Sequence, residues 1–411
     1  MRMGNRRHAL ATLTLLCAFF APSCGGKGDN GASTGGAGGD AGGSAGGDGG
    51  SGGQTGASTP PSKPVKVSML AAGHDHTCVK IGEGVRCWGQ NSSGQLGTND
   101  TTDRFIPTAV SDLGSEVSWL ISSDYATCAD NTGGTWCWGS GTAGIADPPS
   151  LVPVLEDGIS PQVTSLAIGS QHVCAVIGGA AKCWGDNQYG QLGDGTNTSS
   201  DVPVQVKGLT SGVTAISSGS SHSCAIADGA VWCWGDNQYA QLANGNEGRA
   251  NEPTQPKGLT ADATWLTSNG LRTCALVAGA VICWGGKSHS IDSPDTGAAS
   301  VEPYAVEGLQ SGVSFLSVGQ LSSCAVLDGA VRCWGRNDVG QLGNGSAISS
   351  AVPVQVKGLV KDAQYVAVGS AHACASVDDR VWCWGYNKNG QLGNGSFHVE
   401  QSPVPVQVLF E

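Results

Sequence analysis

Fourteen cysteines and four histidines recur at fixed spacing in this chain, and theirs are the side chains that could do chemistry. The cysteines form seven pairs, each nine residues apart: Cys78 with Cys87, Cys128 with Cys137, Cys174 with Cys183, Cys224 with Cys233, Cys274 with Cys283, Cys324 with Cys333 and Cys374 with Cys383. Trp-Gly follows the second cysteine of every pair, and His76, His172, His222 and His372 stand two residues before the first cysteine of theirs. One His and two Cys on one strand face make a donor set suited to zinc. The Gly-Ser-x-His stretches at 169–172, 219–222 and 369–372 suggest a hydroxyl nucleophile beside a base. Recurrence argues against both. Ala126, Arg272 and Ser322 take the histidine's place in three repeats whose cysteines persist, and a catalytic group is needed once, not several times. Disulfides remain the better reading, and neither a metal nor a catalytic residue is assigned.

The elements that position the cysteines can be read from the fourth repeat. Residues 203–206, 213–216, 222–226 and 231–234 are short runs rich in β-branched and aromatic residues, bounded by Gly, Ser, Asn and Pro, and each reads as a strand. Asp228-Gly229 lies between the last two and is a hairpin signal, because a type I′ turn needs positive φ at both positions. That turn sets Cys224 opposite Cys233 in a non-hydrogen-bonded pair, where the Cα atoms approach to about 4.5 Å and a disulfide can bridge them. Gly takes the second turn position in five of the seven repeats, so one register is expected throughout and seven disulfides follow. Each closes a loop of about ten residues, worth roughly 2–3 kcal/mol before strain.

Successive first cysteines lie fifty residues apart, except for forty-six between Cys128 and Cys174. A fixed period of this length marks a repeat architecture, and four short antiparallel strands per unit make a propeller blade. After Trp-Gly the chain runs Asn91-Ser92-Ser93-Gly94-Gln95-Leu96-Gly97. Residues 187–193, 337–343 and 387–393 match this pattern, while 237–243 departs at Ala240 and Ala243. With Gly-x-x-His before the third strand, this closely resembles the repeat of the regulator of chromosome condensation (RCC1) family over residues 65–411. The resemblance implies an all-β, seven-bladed propeller, in agreement with the seven units counted. The domain opens on a second-type strand near Val67 and ends on a first-type strand at 403–408. The C-terminal strand is therefore expected to complete the blade begun by the N-terminus and so close the ring.

The loops after Trp138 and Trp284 lack Gln-Leu-Gly; they read either as spacers that have lost the motif or as ligand contacts. The family founder exchanges nucleotide on a small GTPase and docks on nucleosomes. Its catalytic wedge is an inserted hairpin, for which the regular spacing here leaves no room. A secreted bacterial branch of the family includes a propeller that plugs β-lactamase active sites, which shows what such a scaffold can do.

Residues 1–24 read as a lipoprotein-type signal: Arg2, Arg6 and Arg7 precede an apolar stretch too short to span a bilayer, and Ser23 precedes the lipid acceptor Cys24. Residues 25–64, as in GGAGGDAGGSAGGDGG, cannot bury enough surface to fold and read as a disordered tether reaching roughly 35 Å. No thiol is left over, since Cys17 leaves with the signal. Residues 65–411 hold 16 Lys and Arg against 30 Asp and Glu, which disfavours nucleic acid. The leading expectation is an envelope-anchored, non-catalytic scaffold, monomeric and free of cofactors. It would touch the membrane only through lipid on the periplasmic or outer surface, and it would be secreted if Cys24 is not lipidated. It would bind a protein or glycan partner through unrepeated side chains on the face with the longer loops: Arg104, Phe105, His289, Phe397 and His398, with Tyr189, Tyr239, Arg249, Lys287 and Ser288 near them. Two rival readings stand beside it. One is a hydrolase or lyase using unrepeated groups such as Asp103, Asp147, His289, Asp292 and His398; the other is a structural or adhesive surface protein that binds carbohydrate. Calcium binding by residues 99–103 lacks EF-hand spacing. Replacing Cys24 with Ala should release the domain from the membrane fraction, and unchanged membrane association would show that the signal is of another kind.

Overall fold

The computed structural model describes residues 66–141, 149–156, 158–159, 162–286 and 302–410. Residues 1–64 with Cys24, and the loop residues Asp147, Lys287, Ser288, His289 and Asp292, lie outside them. The described residues form seven four-stranded antiparallel sheets and no helix. Each sheet is one blade made from four consecutive strands. Blade 1 comprises Val67–Ala72, His76–Ile81, Gly84–Gly89 and Arg104–Ala109. Blade 7 comprises Ala363–Val368, His372–Val377, Arg380–Tyr386 and Gln401–Gln407. The innermost strands touch in a closed cycle, blade 7 against blade 1.

The hairpin between second and third strands is as the turn residues dictate. Asp228 and Gly229 have φ of 50° and 78°, the type I′ pair whose twist matches the strands it joins. Cys224 then faces Cys233, and the same register holds in every blade. Cys78 is bonded to Cys87, Cys128 to Cys137, Cys174 to Cys183 and Cys224 to Cys233. Cys274 is bonded to Cys283, Cys324 to Cys333 and Cys374 to Cys383. All seven disulfides expected from the turn are thus present, with Cα–Cα distances of 4.0 to 4.2 Å. In blade 2 Thr132-Gly133 turns without positive φ, and Asn131 Oδ1 accepts the Gly133 N–H at 2.8 Å instead.

The disulfides also build the core. Each buried cystine packs with the Trp-Gly tryptophan of the next blade: Cys78 and Cys87 with Trp138, Cys128 and Cys137 with Trp184, and Cys174 and Cys183 with Trp234. Cys274 and Cys283 meet Trp334 in the same way, and Cys324 and Cys333 meet Trp384. Across the join of the chain ends, Cys374 and Cys383 pack with Trp88.

Ring closure departs from the sequence-based expectation of a shared blade. The C-terminal strand pairs within its own blade, Cys383 opposite Val406, and Val67–Ala72 opens a blade that Arg104–Ala109 completes. The Lys-Gly-Leu segment is a crossover between blades rather than a hairpin within one. Val206 N–H donates to Ala181 O at 3.0 Å and Ala181 N–H to Leu209 O at 2.9 Å, so this turn stays bonded to the blade it is leaving. No special latch is needed, because blade 7 meets blade 1 as other blades meet. Gly395 N–H donates to Phe105 O at 2.9 Å, matching Gly195 to Asn251 O and Gly345 to Pro403 O, both at 2.8 Å. The C-terminal end does seal this junction by packing: Val408 is buried with Val67 and Trp88, and Phe410 meets Trp88 edge-on at 6.3 Å. Non-reducing peptide mapping is expected to give seven cross-linked peptides, each within one blade; a link between blades would contradict this register.

Candidate functional site

Strands one and two, and strands three and four, are joined on the same end of the ring, and this long-loop face holds every described candidate. The recurring polar residues on it are consumed by structure. The Asn of the long loop accepts the Leu N–H five residues on, as Asn187 does from Leu192 at 3.0 Å, and its amide caps carbonyls of the same loop. The Gln side chain accepts the N–H two residues before it, as Gln191 does from Tyr189 at 2.8 Å. Its backbone carbonyl receives the next blade's indole: Trp88 on Gln391 O, Trp138 on Gln95 O, Trp234 on Gln191 O, Trp284 on Gln241 O and Trp384 on Gln341 O, at 2.8 to 3.0 Å. Trp184 and Trp334 follow the two blades whose loops lack Gln-Leu-Gly.

The four histidines complete these junctions. Each is fully buried, and its Nε2 lies 2.8 to 2.9 Å from a hydroxyl of the following blade: His76 to Thr127, His172 to Ser223, His222 to Thr273 and His372 to Thr77. Thr127 donates its own proton to Gln95 O at 3.1 Å and Ser223 to Gln191 O at 3.2 Å. Those hydroxyls must therefore accept from Nε2–H, which assigns the tautomer. Burial lowers the pKa of His76 and His172 to about 3 and of His222 and His372 to about 4. These four rings are neutral in sealed sites, not bases available to a substrate. The Gly of Gly-x-x-His is also explained: a Cβ on Gly169 would sit 2.3 Å from the His172 ring and 2.7 Å from Gly219 O.

The first-to-second strand turns of all seven blades surround a central bowl of about 300 Å³. Backbone bonds link them around the axis: Ser170 N–H to Ser220 O at 3.3 Å, Ser220 N–H to Gly270 O at 2.7 Å and, across the chain ends, Ser370 N–H to His74 O at 3.1 Å. Unrepeated groups gather on one side. His74 stacks on Tyr125 with centroids 5.9 Å apart, and its Nδ1 lies 3.1 Å from the Asp75 carboxylate in an ion contact rather than an aligned hydrogen bond. Asp75 raises the His74 pKa; the same contact lowers that of Asp75 despite its partial burial. Reading the sequence for long loops missed this bowl. The available signal was the departure of 74, 124–125, 269–272 and 320 from Gly-Ser-x-His.

Of the sequence candidates, the structure brings two pairs together. Phe105 on the outer strand of blade 1 and Phe397 in the blade 7 loop lie with ring centroids 4.4 Å apart, and Phe397 is 72% exposed. Arg104 pairs with Asp100 at 2.5 Å, and His398 is exposed beside Phe397. Arg249 lies 4.2 Å over the Tyr189 ring, far along the chain from the phenylalanine pair. Asp103 accepts Asn91 N–H at 2.7 Å, a structural role. Asp100, in the loop weighed for calcium, is taken up by Arg104, Asn91 and Thr102. Among the described residues no group of three His, Cys, Asp or Glu could hold a metal.

The model of the regulator of chromosome condensation (RCC1) repeat matches residues 85–129, 183–226, 228–266, 328–376 and 378–411. The chain belongs to the RCC1 repeat family. It is 33% identical over 149 residues to the ultraviolet-B receptor UVR8 of Arabidopsis thaliana, a third of each protein. It is 29% identical over 145 residues to the probable E3 ubiquitin-protein ligase HERC3 of Homo sapiens, covering 32% of this chain and 13% of that protein. The matches thus span a third or less of these relatives. Human WBSCR16 superposes with a TM-score of 0.68 at 21% identity, over 80% of this chain and 94% of that one. Yeast RCC1 (Prp20) does so with 0.68 at 19%, over 80% and 84%. These two share the RCC1 fold.

Two stability measurements test the junctions. Gly169→Ala should cost about 1–3 kcal/mol, since neither the His172 ring nor the Gly219 carbonyl can retreat in a packed junction; an unchanged denaturation midpoint would refute the close approach. The buried histidines take up protons only on unfolding, so stability should be full above pH 6.5 and fall as pH drops from 6.5 toward 4. His74, whose pKa is raised, has the opposite sign and acts above that window. His222→Gln should flatten the slope between pH 6 and 4 by about one proton; an unaltered slope would contradict a buried neutral ring.

Proposed function

We propose that this RCC1 propeller is an envelope-anchored, disulfide-stapled binding scaffold that recognises a protein partner through its long-loop face. One observation carries the reading. The polar groups repeated from blade to blade are spent inside the junctions, so recognition falls to the unrepeated side chains left on that face. Phe397, exposed and packed at a tilt against Phe105, with Arg104 and His398 near it, supplies the residue types that dominate interfaces when they lose water. Anchoring rests on the signal-like residues before Cys24 and the Gly-rich stretch after it. Relatives support the protein-binding part: yeast RCC1 has been solved bound to Kap60, and Prp20p of Saccharomyces cerevisiae has binding properties toward Gsp1p and histones. Their partners are not carried over, because the likeness is at or below 20% identity.

The experiment is capture with the oxidised chain from envelope and extracellular fractions, followed by alanine substitutions. Phe397→Ala and His398→Ala should weaken the captured complex at least about tenfold while leaving thermal stability unchanged. Phe105→Ala should weaken it and also lower the melting temperature, since that ring packs at the blade 7 to blade 1 junction. His289→Ala should weaken binding as well. Should substitutions at the Asp228-Gly229 or Asp328-Gly329 hairpins abolish binding while these do not, recognition belongs to the opposite face.

A further inference from the structure

We infer that the central bowl of the long-loop face is a binding site for a sugar ring, an inference independent of the protein-partner reading. The bowl is of a size that holds a small ligand. Ser122 and Ser218 are among its lining residues, and their hydroxyls, buried beneath its surface, have no hydrogen-bond partner among the described residues. Ser218 is more than nine-tenths buried. Buried hydroxyls are nearly always paired in folded proteins, and a χ1 rotation that turns this unpartnered pair toward a polar guest would break no existing hydrogen bond. The equivalent positions in blades 1 and 3 are Ala72 and Ile168, which also line the bowl. The two hydroxyls are therefore not required by the repeat.

The wall identifies the guest's chemistry. Tyr125 is 44% exposed and backed by the nearly parallel His74 ring, which gives a flat apolar platform of the kind that lies against the C–H face of a pyranose. Asp124 adjoins it, and Asn269 and Gln320 line the bowl on other blades. Gln320 Oε1 is taken by Ser370 Oγ at 2.9 Å, leaving its NH₂ to donate. The lining holds Asp124 and His74 but no Lys or Arg, which disfavours phosphate and other anions. An ammonium or guanidinium guest would offer donors only, leaving the serine, Asn269 and Gln320 donors unmatched. Each sugar hydroxyl both donates and accepts, as this mixed lining requires.

The inference is tested by saturation-transfer NMR on the intact disulfide-bonded chain with the methyl glycosides of glucose, galactose, mannose and N-acetylglucosamine. At least one should bind with a dissociation constant on the order of millimolar, as single sugars on one platform do. Tyr125→Ala should abolish transfer, Tyr125→Phe should keep it, and Ser218→Ala should weaken it about three- to tenfold. Glu83→Gln, on a hairpin at the other end of the ring, should leave it unchanged. Circular dichroism establishes that each variant is folded, and the Tyr125→Phe arm stands even if Tyr125→Ala is not. No transfer from any glycoside at about 50 mM, equal transfer in Tyr125→Ala, or binding of N-acetyl-arginine amide in place of the glycosides would overturn the assignment.

Discussion

One backbone carbonyl in each of five blades governs how this ring is put together. The Gln of Gln-Leu-Gly presents its C=O to the next blade, where it receives an indole N–H and, at two junctions, a hydroxyl that also holds the buried histidine. Everything else in the motif serves that carbonyl. Asn clamps the loop from within, the Gln side chain fixes its own turn, and the terminal Gly lets the loop lie on the indole, as at Gly193, where an added Cβ would come within 2.8 Å of the Trp234 ring. A hydrogen bond of this kind contributes only about 1 kcal/mol. Leaving a buried indole or carbonyl unpaired costs more, so the network acts chiefly by excluding other arrangements.

Blade 4 shows that the motif tolerates loss at a cost. Ala240 and Ala243 stand where the other loops have glycine, yet they keep φ of 59° and 45°, a region non-glycine residues enter with strain. The junction they serve still forms: Trp284 reaches Gln241 O at 2.9 Å. Blades 2 and 5 go further. They lose Gln-Leu-Gly and also lose the Gly-x-x-His of their inner turns, where Ser123 and Ala126, and Asn269 and Arg272, stand instead. The histidine and the Gln loop of a blade meet at the same junction, yet blade 6 loses only the histidine, to Ser322, and keeps Gln341. Of the unrepeated side chains of the central site, Asp124, Tyr125 and Asn269 come from blades 2 and 5, and His74 and Gln320 from blades 1 and 6.

Much of this was legible in the residues. The fifty-residue period and the Asp-Gly turns determine strand type and cysteine register by arithmetic, because side chains alternate with period two and a one-residue slip would part every pair. The same arithmetic carried over to Cys128 with Cys137, Cys274 with Cys283 and Cys324 with Cys333, although only the last of these follows an Asp-Gly turn. The phase of the blade was not legible. A cyclic repeat of four strands has no intrinsic start, and a short Lys-Gly-Leu turn looks more like a hairpin than the much longer Asn-to-Gly loop does. Pairing reverses that impression, since the long loop returns its strand to the same sheet while Leu209 and its equivalents, buried between blades, carry the chain onward. The Phe105 and Phe397 contact was hidden for the same reason. It exists only because the ring brings residues from opposite ends of the domain to one junction.

That junction differs from the rest in one respect. Six junctions are crossed by the chain itself, and the one between blades 7 and 1 is not. Every disulfide lies within a blade, so none bridges it either. It is held by His372 on Thr77, Trp88 on Gln391 O, Gln391 Nε2 on Asp75 and the packing of Phe410. Local opening of a fold starts where cooperative support is least, and here that is the join of the chain ends. A ligand spanning Phe105 and Phe397, or one seated in the bowl against Asp75's neighbour His74, binds the closed ring and not the opened one. By mass action it stabilises closure. The disulfides harden each blade against unfolding, and the one junction they leave unbridged is where binding has most effect on the stability of the whole ring.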